Sequence, residues 1–138
     1  MVKVVNSINE LNSLVENSSK KITVLDFYAD WCGPCKMLTP FLENLSNIYH
    51  DQINFFKVDV DKAQELSFKH NVKCMPTLVF EVDNKVLDQY RVEGYNENKI
   101  LHSITECLKL INDSNEVNDS NEVNDSNEVN DSNEVNDS

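Results

Sequence analysis

The chain predicts an α/β domain, a mixed central sheet of five strands with four helices on its two faces. Three observations lead there. Segments of strand and helix character follow one another as β-α-β-α-β-α-β-β-α. The run from Ile22 to Ala29 is apolar and rich in strand formers, as a strand buried on both faces requires. The strand–helix–strand start implies parallel pairing, whereas the late strand–strand step implies antiparallel pairing.

Each element has its own signature. Val2 to Val5 reads as a short strand. Ser7-Ile8-Asn9-Glu10 matches a capping box, and Ile8, Leu11, Leu14 and Val15 give the following helix one apolar face. Asn17-Ser18-Ser19 ends it. After the Ile22–Ala29 strand, Leu38, Phe41, Leu42, Leu45, Ile48 and Tyr49 recur at helical spacing. Pro40 lies inside that pattern and is expected to kink it. Phe55 to Val60 reads as a third strand and Lys62 to Lys69 as a short helix. Thr77 to Val82 and Val86 to Val92 read as two strands about a tight turn at Asp83-Asn84, without the glycine usual there. Gly94 marks a bulge or bend. Asn96 caps a last helix, with Ile100, Leu101, Ile104, Cys107, Leu108 and Ile111 on its inner face. His50, His70 and His102 fall on separate helical segments and read as surface residues.

The chain has 138 residues, the size of one domain, and 40% are hydrophobic. Its end is different in kind. Asn-Asp-Ser-Asn-Glu-Val recurs four times from Asn112, and Asn-Asp-Ser closes the chain. One valine in each repeat cannot build a core, so residues 1–111 are expected to form the domain and 112–138 a disordered acidic tail. The net charge of −12 argues against a nucleic-acid partner. Most of it is local, because without the tail 15 acids face 12 bases. The start shows no signal peptide, and no apolar stretch approaches a membrane span. Four cysteines then fit a reducing, cytoplasmic setting better than a disulfide scaffold.

The chemistry is expected at Trp31-Cys32-Gly33-Pro34-Cys35, where a C-x-x-C pair falls at the start of a helix. A thiolate attacks disulfides, and an ordinary cysteine is mostly protonated at neutral pH. Unpaired N–H groups and the macrodipole at a helix N-terminus favour the anion. Cys32 stands at that position and is the expected nucleophile; Cys35, one turn in and more buried, is the expected resolving thiol. Gly33 and Pro34 shape the turn into the helix. A zinc half-site is the competing reading of C-x-x-C, but no second C-x-x-C or H-x-x-x-H supplies the missing ligands. No metal is expected. Asp26 lies in the most apolar strand, where burial should raise its pKa and suit it to accept a proton.

These residues resemble a known family. Asp26-Phe27-Tyr28-Ala29-Asp30-Trp31-Cys32-Gly33-Pro34-Cys35-Lys36 is similar to the active-site segment of the thioredoxins, and Val72-Lys73-Cys74-Met75-Pro76-Thr77 resembles their cis-proline loop. Val58-Asp59-Val60-Asp61 and Gly94 fit at matching distances, and the likeness covers about residues 1 to 111. It implies the thioredoxin fold and a protein-disulfide reductase working through Cys32 and Cys35. It places Asp26 behind Cys35 as proton acceptor, with Lys57 tuning it. Trp31, Gly33, Pro34, Met75, Pro76 (as a cis-proline) and Gly94 would form the substrate surface. No bound cofactor is implied; electrons would come from NADPH through thioredoxin reductase. Peroxiredoxins, ribonucleotide reductase and methionine sulfoxide reductases are the implied clients of a monomer. Cys74, beside the loop, reads as a regulatory thiol open to oxidation or to an intermolecular disulfide that would link a dimer. Cys107 reads as core. Tyr28 departs from the tryptophan found there in many members. A rival of another class is a binding module whose redox state controls a partner.

Overall fold

In a computed structural model, backbone is described for residues 1–119. The elements are β1 (Lys3–Val4), α1 (Ile8–Glu16), β2 (Ile22–Tyr28), α2 (Gly33–Ile48), β3 (Ile53–Asp59), α3 (Gln64–Lys69), β4 (Thr77–Val82), β5 (Lys85–Val86), a 3-10 turn (Asp88–Tyr90), β6 (Val92–Glu93) and α4 (Glu97–Asp119). The sheet order is β1-β3-β2-β4-β5, with β6 also paired to β4. β2 pairs in parallel with β3 and antiparallel with β4. The mixed sheet and its four helices are those expected.

The central position of β2 follows from its residues. With a neighbour on each side and helices above and below, Ile22 through Phe27 are all buried. Leu25 and Phe27 pack in one cluster with Val5, Leu11, Phe56, Val58, Leu66 and Val79. Side chains alternate along a strand, so Val24 and Asp26 project from the opposite face. The residues that α2 and α4 bury, among them Leu38, Leu42, Leu45, Ile100, Ile104 and Cys107, lie outside that cluster. A carboxylate is thereby carried into the apolar layer on the α2 side.

Local chemistry sets the element ends. Ser7 caps α1, its Oγ accepting the Glu10 N–H at 3.0 Å, while Glu10 Oε1 accepts the Asn6 N–H at 2.8 Å. The Asp83-Asn84 turn forms without glycine because both residues take left-handed backbone, φ 52° and 67°. Asp and Asn tolerate that region better than other residues with side chains. Asn84→Gly should therefore raise unfolding free energy by about 0.5–1 kcal/mol in urea titrations; a loss would show that the Asn84 side chain, not its backbone, matters.

Several expectations are corrected. The fifth strand, expected over Val86–Val92, is broken by the 3-10 turn into β5 and β6, which share one edge of β4. Leu101 and Ile48, expected on inner helix faces, are exposed. His70 is not a surface residue. It is 8% exposed, its ring 5.5 Å from that of Phe27, and burial, followed by the charges of Lys69 and Arg91, pushes its pKa down. The cause lies far along the chain: the Arg91 guanidinium donates to the carbonyls of His70 and Asn71 at 2.7 and 3.0 Å, covering the end of α3.

Among the described residues the backbone divides into one unit over Met1–Cys107 and a second that begins at Leu108. Helix α4 continues past the expected edge at Ile111 to Asp119. Asn112-Asp113-Ser114 contains neither glycine nor proline to stop it. The expectation of disorder for 120–138 falls outside the described residues. No helix among the described residues is long and apolar enough to cross a membrane.

Candidate active site

Cys32 is the N-cap of α2. Its backbone is extended (φ −91°, ψ 113°), and its N–H donates to the Ala29 carbonyl at 3.1 Å. Pro34 sits in the first turn, where a missing N–H costs nothing. Cys32 and Cys35 form a disulfide across a Cα–Cα distance of 5.3 Å. The Cys35 N–H donates to Cys32 Sγ at 3.2 Å. That contact belongs to the capping position, because only the residue before the helix can receive an N–H of its first turn. The expected difference in burial is small: Cys32 is 5% exposed and Cys35 3%. What separates the two sulfurs is the hydrogen bond, not their depth.

The cis-proline loop faces the pair. The Met75–Pro76 peptide is cis, and the Met75 carbonyl stands 3.6 Å from Cys32 Sγ. Its neighbours are already engaged. The Pro76 carbonyl accepts the Gly94 N–H at 2.8 Å, and the Cys74 carbonyl accepts the Thr77 hydroxyl at 2.7 Å. Gly94 has φ +92° with open space where a Cβ would stand, so backbone conformation rather than crowding calls for glycine. Ala29, Cys32 and Cys35 form a small apolar cluster flanked by Tyr28, Val60 and Met75.

Trp31 is 69% exposed, and its indole Nε1–H donates to Asp61 Oδ2 at 3.0 Å. Asp59 Oδ1 in turn accepts the Asp61 N–H at 2.9 Å. Neither aspartate had an expected role beyond its place in the Val58–Asp61 likeness. Cys74 is exposed, and Cys107 is fully buried with its thiol pushed up to about 11 by burial and Glu106. A reactive role does not suit Cys107.

Asp26 is 0% exposed, and among the described residues neither carboxylate oxygen has a hydrogen-bond partner. Burial, working against the opposing pull of the Lys57 ammonium, pushes its pKa up to about 7. Lys57 is the register partner of Asp26 across β2 and β3. Its Nζ lies over the ring of Tyr28, 4.3 Å from the centroid. Among the described residues no group of three or more His, Cys, Asp and Glu side chains is placed to hold a metal ion.

A cysteine pair closing a disulfide at a helix N-terminus, opposite a cis-proline loop, defines a thiol–disulfide oxidoreductase. The exchange uses the cysteine sulfurs themselves and needs no bound cofactor. The family model described as thioredoxin matches residues 2–106. A thioredoxin from Ophiophagus hannah is 38% identical over 104 residues, 75% of this chain and 96% of the relative. One from Mus musculus is 38% identical over 106 residues, 77% and 98% of the two chains. The crystal structure of Fasciola hepatica thioredoxin superposes with a TM-score of 0.70 at 38% identity, covering 75% of this chain and 97% of that one. The chain belongs to the thioredoxin family, and Cys32 and Cys35 are its dithiol–disulfide pair.

Proposed function

We propose a division of labour in which Cys32 attacks and Cys35 resolves. The observation that favours it is the capping geometry: Cys32 Sγ receives the Cys35 N–H and stands beside Met75, on the side where a client can arrive. In the first step the Cys32 thiolate attacks one sulfur of a client disulfide. A Cys32–client disulfide forms, and the other client sulfur leaves as thiolate. Next, Cys35 loses its proton to Asp26 and attacks Cys32 Sγ. The mixed disulfide breaks, the second client thiolate leaves, and Cys32–Cys35 closes. Two electrons have passed to the client.

Asp26 suits the acceptor role because a pKa of about 7 lets it both take and return a proton near neutrality. Lys57 tunes it. Trp31, Gly33, Pro34, Met75, Pro76 and Gly94 form the client surface, with an extended client segment pairing to the backbone at Met75. Cys74, exposed beside this surface, serves as a regulatory thiol. The acidic repeat is an accessory segment beyond the catalytic domain, and the protein works in the cytoplasm. NADPH supplies the electrons through thioredoxin reductase, and peroxiredoxins and ribonucleotide reductase are among the clients.

The test is NADPH oxidation in the presence of a thioredoxin reductase and a disulfide-containing protein. Consumption should require all three proteins' thiol chemistry and fall to background with Cys32→Ser. Consumption that survives Cys32→Ser would overturn the assignment.

A further inference from the structure

Lys57 faces an unexplained choice. It pairs in register with Asp26 on the adjacent strand, and Asp26 is buried with no hydrogen-bond partner at either oxygen among the described residues. Yet the Lys57 ammonium is centred on the face of Tyr28, 4.3 Å from the ring centroid. Tyr28 lies two residues beyond Asp26 on β2, so both side chains leave the same face of the strand. A cation on a ring face is held by the ring's quadrupole, more firmly where water is partly excluded. Tyr28 is only partly buried and packs on one side against the Ala29–Cys32–Cys35 cluster.

We propose that Tyr28 is a positioning residue: its ring holds the Lys57 ammonium within electrostatic reach of Asp26, and so sets the proton affinity of that buried carboxyl. Without the ring, the four-carbon stem of Lys57 is free to carry its charge into solvent. Its pull on Asp26 then weakens.

Among the described residues no second cation acts on Asp26. β4 places Leu78 opposite it. Asp59 on β3 and Asp30 beyond β2 press on the Tyr28 phenol, whose pKa is raised chiefly by burial and then by these charges and that of Asp26. The effect of Lys57 on Asp26 therefore depends on where one flexible side chain rests. A phenylalanine retains the ring face, whereas a leucine does not.

The experiment follows the Asp26 carboxyl carbon by NMR from pH 5 to 9 in the full chain, in a two-by-two set of Tyr28→Leu and Lys57→Met. Tyr28→Leu should move the Asp26 midpoint upward by about half a pH unit. Tyr28→Phe should restore most of the original midpoint. In the Lys57→Met background, Tyr28→Leu should move it no further, because the cycle isolates what passes through Lys57. An unchanged midpoint, a downward shift, or an equal shift without Lys57 would each overturn the proposal. It rests on Asp26 as the Cys35 proton acceptor only for its catalytic meaning. If Asp26→Asn kept the original pH–rate profile, that role would fall while the titration result stood.

Discussion

Cys35→Ser should stop turnover while leaving the first half of the reaction intact. Serine removes the sulfur that closes the Cys32–Cys35 disulfide, and its hydroxyl is too weak an acid to resolve the mixed disulfide. Cys32 keeps its capping position at the start of α2, because the contact it receives comes from the backbone N–H of residue 35, not its side chain. Attack on a client disulfide continues, but release does not. Steady-state reduction should drop by at least about 10³-fold, with client-linked adducts accumulating on non-reducing gels and dissolving in dithiothreitol. Cys32→Ser should lose activity as completely and accumulate nothing. The comparison is best made in a Cys74→Ser background, since an exposed thiol such as Cys74 can form adducts of its own, whereas Cys107 is fully buried. Adducts with Cys32→Ser and none with Cys35→Ser would reverse the assignment of the two sulfurs.

Much of this site is legible in sequence because its parts are local. A capping position, a proline in the first turn and a partner thiol one turn on all lie within five residues, Trp31 to Cys35. Asp26 is legible for a related reason: a carboxylate inside an unbroken apolar strand has nowhere to go but the core. What escapes is set by contacts between distant segments. His70 looks solvated from its own helix, and its burial is decided by Phe27 on β2 and Arg91 far downstream. The break between β5 and β6 has no strong local signal either. Val86 to Val92 contains no proline or glycine, yet Asp88–Tyr90 turns as a 3-10 helix, and Ser103 Oγ on α4 donates to the Tyr90 carbonyl at 2.7 Å. The hydrogen bond from Trp31 to Asp61 and the seat of Lys57 on Tyr28 likewise join loops and strands that only the folded sheet brings together. For Asp61 the one available hint was its place in the Val58–Asp61 likeness, which came with no role attached.

Asp26→Asn should trade rate for stability, with a pH dependence of definite sign. The folded-state pKa is about 7, raised from 3.8 mainly by burial. A carboxyl so shifted binds its proton more tightly in the folded chain than in the unfolded one. Its contribution to stability is therefore fully present below about pH 4 and is lost as the pH rises through about 7. At about 1.4 kcal/mol for each pKa unit, the loss amounts to on the order of 4 kcal/mol by pH 8 or above. Asparagine has the shape of the protonated acid and never ionises. Wild type and Asp26→Asn should then unfold at similar denaturant concentrations near pH 4, and the variant should be the more stable by several kcal/mol above pH 7. At neutral pH the same variant should reduce clients more slowly, on the order of 10²-fold, because the proton acceptor proposed for Cys35 is gone. The buried position that makes Asp26 a base near neutrality is the one that makes its anion destabilising, since burial strips the carboxylate of solvent. Chemical denaturation of both proteins at pH 4, 6 and 8 with the disulfide closed measures the effect. Parallel stability curves across that range would mean that Asp26 ionises as easily in the folded chain as in the unfolded one, and its part in the mechanism would go with it.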